Sequence, residues 1–186
     1  MSASSIVKTK RDAEIMLGFL GGGAFQAANG NPIVGPPAAR TFTIIREPGD
    51  FSFSVPRAAK NHFLDRGQFG TPPQVRYGDD QAITGSFSAY LTEITDATAA
   101  VLLDIAHETG WAASTLESVF DSAPAAADHE VFGCDIRYRV TNQGNAADVH
   151  TLVFRYCTLE IQTAEGDPDK VTVNWTCHQV APAYVF

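Results

Sequence analysis

Two runs of strict alternation dominate the second half of the chain. Phe132, Cys134, Ile136, Tyr138 and Val140 alternate with Asp135, Arg137 and Arg139. Val171, Val173, Trp175 and Cys177 alternate with Thr172, Asn174, Thr176 and His178. A period of two puts each set on its own face of a strand, so both runs predict strands with one face against a core. Val149 to Thr163 predicts a third strand between them. It is reached through a turn at Asn142–Asp148 and left through the acidic turn Glu165-Gly166-Asp167-Pro168-Asp169. Upstream, Ile83, Phe87, Ala89 and Leu91 alternate with Thr84, Ser86, Ser88 and Thr92, another half-buried strand. Ile15, Leu17 and Phe19 predict a strand over Arg11–Leu20; Gly18 and Gly21-Gly22-Gly23 stop the rival helix at once. Arg40–Arg46 and Phe51–Val55 predict two strands joined as a hairpin by Glu47-Pro48-Gly49-Asp50. One segment has a helical period. Asp96 caps it, Val101, Leu102, Ile105 and Ala106 form its apolar stripe, and Gly110 stops it, giving a helix over Ala97–Glu108 that lies on a sheet face. Trp111–Phe120 has no decisive period, and Tyr184–Phe186 predicts a free apolar end.

Two segments have no period at all. Gly21–Ala39 is rich in Gly, Ala, Asn and Pro and predicts an extended arm. Ala58–Gln81 predicts a long polar loop carrying charges of both signs and several aromatic residues. Exposed aromatics beside mixed charge mark docking surfaces. The candidate contact residues are therefore Phe63, Asp65, Arg66, Phe69, Arg76, Tyr77, Asp79 and Asp80. The expected fold is mostly β: one domain over residues 1–186, an antiparallel β-sandwich or partial barrel of about seven or eight strands. One flanking α-helix and long loop arms complete it, with residues 1–10 a flexible N-terminus.

Composition narrows the function. The 186 residues carry a formal net charge of −8, and such a surface repels nucleic acid instead of gripping it. It suits a surface that nucleic acid must pass without sticking. Three cysteines, an odd number, argue against a closed disulfide framework and for synthesis in a reducing compartment. All three sit at alternate strand positions, where a small buried hydrophobe is wanted. The longest purely apolar run, Ala99–Leu103, is too short to span a bilayer. Lys8, Lys10 and Arg11 before Ile15–Leu20 resemble a signal peptide weakly, but Asp12 and Glu14 interrupt the basic region.

Catalytic and ligand motifs do not emerge. The cysteines lack CxxC spacing. Cys177 and His178 are strand neighbours that point to opposite faces, so they cannot share an ion. His62, His107, His129, His150 and His178 are scattered. Gly21-Gly22-Gly23 fails the dinucleotide pattern because Gln26 stands where its last glycine belongs. Gly85-Ser86-Phe87-Ser88-Ala89 lacks the second glycine of a nucleophile elbow. Asp167 and Asp169 lack the other ligands of a calcium loop. No catalytic residue, cofactor or metal is expected.

The order of pieces carries a resemblance. RDAEIMLGFLGG, EPGDFSFSVPR, LDRGQFGTPPQVRYGDDQAITGSFSAYLTEI, the helix ATAAVLLDIAHETGW, DHEVFGCDIRYRV and DKVTVNWTCHQV together resemble the major tail tube proteins of long-tailed bacteriophages. The segment RGQ…RYGDDQ…TGSFSAYLT is its most specific part. The resemblance implies a non-enzymatic virion protein that forms six-fold rings stacked into a hollow tail tube for genome delivery. It implies strands donated to a continuous inner barrel, an outer helix, and arms that bridge subunits and rings. It also implies partners: tail terminator, tape measure and baseplate proteins, with DNA passing unbound and no membrane anchor. About 24 strands at about 4.8 Å give a circumference near 115 Å and a backbone diameter near 37 Å, wide enough for duplex DNA inside the side chains. The Gly21–Ala39 arm is longer and poorer in strand pattern than the resemblance implies. Other readings are a tail terminator or connector ring, a β-sandwich module for carbohydrate or a host surface, and a hydrolase with carboxylates assembled in space. A sandwich module needs exposed coplanar aromatics, whereas Trp175 reads as core.

Overall fold

The computed structural model describes residues 13–19, 24–26, 30–32, 41–44, 50–56, 58, 60–63, 74–91, 101–107, 109, 118–120, 131–142, 145–166, 169–179 and 182–185. Among them are ten strands and one helix: β1 (Ala13–Gly18), β2 (Thr41–Thr43), β3 (Ser52–Ser54), β4 (Lys60–Phe63), β5 (Gln74–Tyr77), β6 (Ile83–Tyr90), α1 (Leu102–His107), β7 (Cys134–Asn142), β8 (Asn145–Ala164), β9 (Lys170–Cys177) and β10 (Ala183–Val185). Every pairing is antiparallel. The main sheet runs β2-β1-β7-β8-β9-β6-β3, with β10 also on β8, while β4 and β5 form a separate two-stranded ribbon. The protein is thus mostly β with a short helix, and the sheet does not close into a barrel.

The 20-residue β8 belongs to two half-sheets. Its first part pairs with β7, and with β10 at Thr151–Val153. Its second part, Cys157–Ala164, pairs with β9, and from Thr158 onward with β9 alone among the described residues. One half-sheet is therefore β2-β1-β7-β8 with β10, the other β8-β9-β6-β3. Their apolar faces meet. Ile15 and Leu17 of β1, Ile136 of β7, Val173 and Trp175 of β9, Phe87 of β6 and Ile105 of α1 belong to one buried cluster. Aromatic contacts join the far ends: the Phe51 ring, just before β3, stacks on Tyr138 of β7 at 4.5 Å, and Phe154 of β8 lies 4.8 Å from Trp175.

The bend between the halves is a β-bulge. Cys134 faces Cys157, yet Ile136 faces Phe154, so β8 carries one extra residue at Arg155–Tyr156. Tyr156 takes the left-handed φ of 58° that the bulge needs, a conformation a bulky residue adopts only under constraint. The extra residue resets the alternation. Phe154 and Cys157, three apart, both lie in the core, and Tyr156 stays partly exposed.

Alternation placed the apolar residues well. Ile83, Phe87 and Ala89 are buried, β9 alternates buried and half-buried throughout, and Trp175 is core. Pairing differed in three places. The expected hairpin across Glu47–Asp50 does not form: β2 pairs β1 and β3 pairs β6, at opposite ends of the sheet. A turn motif reverses the chain without choosing its partners, and Phe51 gains more by reaching Tyr138 and Trp175. The apolar end is not free, since Ala183–Val185 is β10 and covers an edge of β8. The turn at Asn142–Asp148 is shorter than expected, because strand continues to Asn142 and resumes at Asn145. The helix is seen at Leu102–His107; its expected start, Asp96 included, and most of Trp111–Phe120 lie outside the described residues.

Candidate assembly surface

The outer face of the β8-β9-β6-β3 half-sheet is almost wholly hydroxyl and amide. Register aligns Ser52, Ser86, Asn174 and Glu160 in one row across four strands, and Ser54, Thr84, Thr176 and Thr158 in the next. Ser88, Thr172 and Gln162 continue the pattern. Ser52 Oγ and Ser86 Oγ are 3.0 Å apart, and Thr158 Oγ1 lies 3.2 Å from His178 Nε2. Within these rows Glu160 is the one charged side chain. An open groove of about 470 Å³ runs along β3, lined by residues such as Ser54, Thr84, Asn174 and Trp175. The Trp175 indole is buried, and its N–H has no partner among the described atoms.

Both borders of this half-sheet are open among the described residues. β3 ends the strand order, and its three residues are exposed. The other border is the β8 edge that faces away from β9. The His178 N–H donates to the Tyr156 carbonyl at 3.1 Å, which sets the phase of the β8–β9 ladder. Thr158, Glu160 and Gln162 therefore turn their backbone groups to β9, and Leu159, Ile161 and Thr163 turn theirs outward. By the same alternation, the Leu91 N–H donating to the Asp169 carbonyl at 3.0 Å leaves Phe53 with its backbone groups outward on β3. Unpaired N–H and C=O rows recruit another strand.

The other half-sheet has its outer face covered. Segments 24–26 and 30–32 fold onto it through a Phe25–Pro32 bridge. Ala24 and Phe25 pack on Met16 and Val153, over Gly18, where an added Cβ would sit 2.4 Å from the Ala24 methyl. Three charged side chains hold the segment down. Asp135 Oδ2 accepts the Ala24 N–H at 3.1 Å, Arg137 donates to the Gly30 carbonyl at 3.1 Å, and Arg155 donates to the Phe25 carbonyl at 3.0 Å. Arg137 also pairs with Glu14 at 2.9 Å and lies under the Phe25 ring. Asp135 and Arg137 are thus buried, at 1% and 2% exposure, although alternation assigns them to a polar face. Asp135 serves the bulge too: its Oδ1 accepts the Tyr156 N–H at 3.2 Å. Burial raises its pKa, opposed by the Ala24 N–H, Arg155 and the Tyr156 N–H. Burial lowers that of Arg137, opposed by Glu14. This part of the Gly21–Ala39 arm is tied to its own sheet.

The eight candidate contact residues fall mainly around the β4–β5 ribbon, so Ala58–Gln81 contains paired strands where a loop was expected. Phe63 ends β4 opposite Gln74, and Arg76 lies in β5 opposite Asn61. Tyr77 is 77% exposed, and Asp79 and Asp80 are exposed just after it. Asp65, Arg66 and Phe69 lie outside the described residues. The ribbon has no partner sheet among the described residues. Sequence reasoning missed the open borders and the charged clasp, because neither is a property of one segment. Among the described residues, no group of three or more His, Cys, Asp or Glu side chains is arranged to hold a metal ion, and no helix is long and apolar enough to cross a membrane. No protein-family model matches this sequence, and no curated protein matches it significantly.

Proposed function

We propose that the chain is a structural virion protein, the subunit of six-membered rings that stack into the tail tube of a long-tailed phage. The observation that carries this reading is the β8-β9-β6-β3 half-sheet, with one face in the core, one face polar, and both borders open among the described residues. A subunit with complementary open borders joins the next head to tail, and such joining closes into a ring. Six copies of four strands supply the roughly 24 that a duplex-wide channel requires. The hydroxyl and amide face turns to the channel. It hydrates well, and its few charges, with the net charge of −8, keep phosphates from adhering. The β4–β5 ribbon, which ends in the exposed Tyr77 with exposed Asp79 and Asp80 just after it, reaches toward the next ring. The protein is made in the host cytoplasm and works in the virion tail, with terminator, tape measure and baseplate proteins at or inside the tube. Negative-stain electron microscopy of the purified chain tests this reading. Rings and tubes are expected; monodisperse globular particles at every concentration and salt sink it, and rings that never stack point to a terminator or connector.

The hydroxyl-lined groove beside Trp175 favours a second reading, a carbohydrate-binding module. Binding on a glycan array by a monomeric protein distinguishes it from the tube subunit.

A further inference from the structure

The bulge that bends β8 also collects the cysteines. Cys134 faces Cys157 across β7 and β8, Cys157 faces Cys177 across β8 and β9, and all three are fully buried. Each thiol donates to a backbone carbonyl nearby, Cys157 to Phe154 at 3.4 Å and Cys177 to Arg155 at 3.0 Å. Their backbone site is favourable. The hydrogen bond from His178 N–H to the Tyr156 carbonyl makes the adjacent 157/177 pair a non-hydrogen-bonded one. Cα atoms there approach to about 4.5 Å, inside the range of about 4.4–6.8 Å that a disulfide spans. The two thiols are also unequal. The neighbouring Cys157 side chain lowers the pKa of Cys177 despite burial, whereas burial raises that of Cys157. Cys177 is therefore the more readily ionised thiol of the two. The β9 ladder ends at Cys177, beside exposed His178 and partly exposed Tyr156, so opening of that strand end admits a small oxidant.

We propose that Cys157 and Cys177 are a modification site: a dithiol that a peroxide closes into a cross-strand disulfide, locking the bend of β8 onto β9. The Cys177 thiolate attacks one peroxide oxygen, the O–O bond breaks, and Cys177 sulfenic acid and hydroxide form. The Cys157 sulfur then attacks the sulfenic sulfur. Its proton leaves with the displaced hydroxide as water, and the S–S bond forms. Two thiols and one hydrogen peroxide give one disulfide and two waters. Cys134 stays reduced. This chemistry does not depend on ring assembly.

The test treats the folded full chain with hydrogen peroxide, alkylates it with iodoacetamide in denaturant, and reads intact mass and non-reduced peptides. Untreated protein takes three alkyl groups, one on each cysteine. Treated protein is expected to take one, at Cys134, and to yield a single cross-linked peptide joining Cys157 to Cys177 that dithiothreitol splits. The 20-residue span between them predicts a melting temperature raised by roughly 6–12 °C. Cys134→Ser is expected to form the same cross-link, and Cys177→Ser none. Three alkyl groups on treated protein that circular dichroism shows folded overturn the proposal. So do a cross-link through Cys134, sulfinic acid at Cys177 in place of the cross-link, or an unraised melting temperature. The wild-type chain carries the decisive measurement, so a variant that fails to fold leaves it standing.

Discussion

Gly85 faces Trp175 across β6 and β9, and the indole occupies the space a side chain would take. An added Cβ would lie 2.3 Å from the Trp175 ring and 2.4 Å from the Ser52 carbonyl oxygen. Gly85→Ala therefore pushes β3 or the indole aside and is expected to cost about 1–3 kcal/mol in urea unfolding. An unchanged midpoint refutes the close packing described. Asp135 works differently, because its carboxylate accepts two backbone N–H groups, those of Ala24 and Tyr156. In Asp135→Asn one carboxylate oxygen becomes an NH2 that cannot accept, so one N–H loses its partner, at a cost of about 1–3 kcal/mol near neutral pH. The pH dependence has a definite sign. Burial holds the folded pKa above the unfolded one, against the two accepted N–H groups that favour the carboxylate, so the stability linked to the protonated carboxyl is complete below the ordinary carboxylate range and is lost as pH rises through the raised folded value. Asp135→Asn removes that decline, and denaturation midpoints measured from acid to neutral pH show whether the slope disappears.

At the scale of the element, β8 decides the architecture. A 20-residue strand without a bulge would put Phe154 and Cys157 on opposite faces; the left-handed Tyr156 puts both inside. Its second half also carries the open border, which yields a selective test. Thr163 has an exposed side chain, and its N–H points away from β9. Thr163→Pro removes that donor and leaves the β8–β9 ladder intact. The expected result is a monomer with near wild-type circular dichroism that forms no rings by electron microscopy. Rings of normal diameter from this variant exclude the β8 border as the contact. Much of this element was legible, since Val149–Thr163 alternates. The bulge was not, because alternation fails at one residue whose reason, Asp135 on β7, lies 21 positions away.

At the scale of the molecule, two parts bear on assembly in opposite ways. Residues 24–26 and 30–32 are held to their own sheet by Asp135, Arg137 and Arg155, so this part of the arm stabilises the fold. The β4–β5 ribbon pairs only with itself among the described residues and is the part that the proposed assembly assigns to bridging rings. Deleting Ala58–Gln81 is expected to leave a folded protein that no longer grows into tubes, scored by sedimentation and negative stain. Tube growth by the deletion shows that the ribbon is not the stacking contact.

The sequence by itself determined the strands of the main sheet that alternate, β1, β6, β7 and β9, and which face of each is apolar, because a period of two is a property of a few neighbouring residues. Ile136, Phe87, Val173 and Trp175 are core for that reason. Only the tertiary structure decided which strands pair, where β8 bends, and why Asp135 and Arg137 lie under a loop instead of in water. Those outcomes rest on contacts between residues well separated in the chain, from 21 positions for Asp135 with Tyr156 to 111 for Ala24 with Asp135. The energy of such contacts depends on what else has already packed, and no local pattern records it. The meeting of three cysteines in one row belongs to the same class: each was legible as a small buried residue, and their proximity came from the register of three strands.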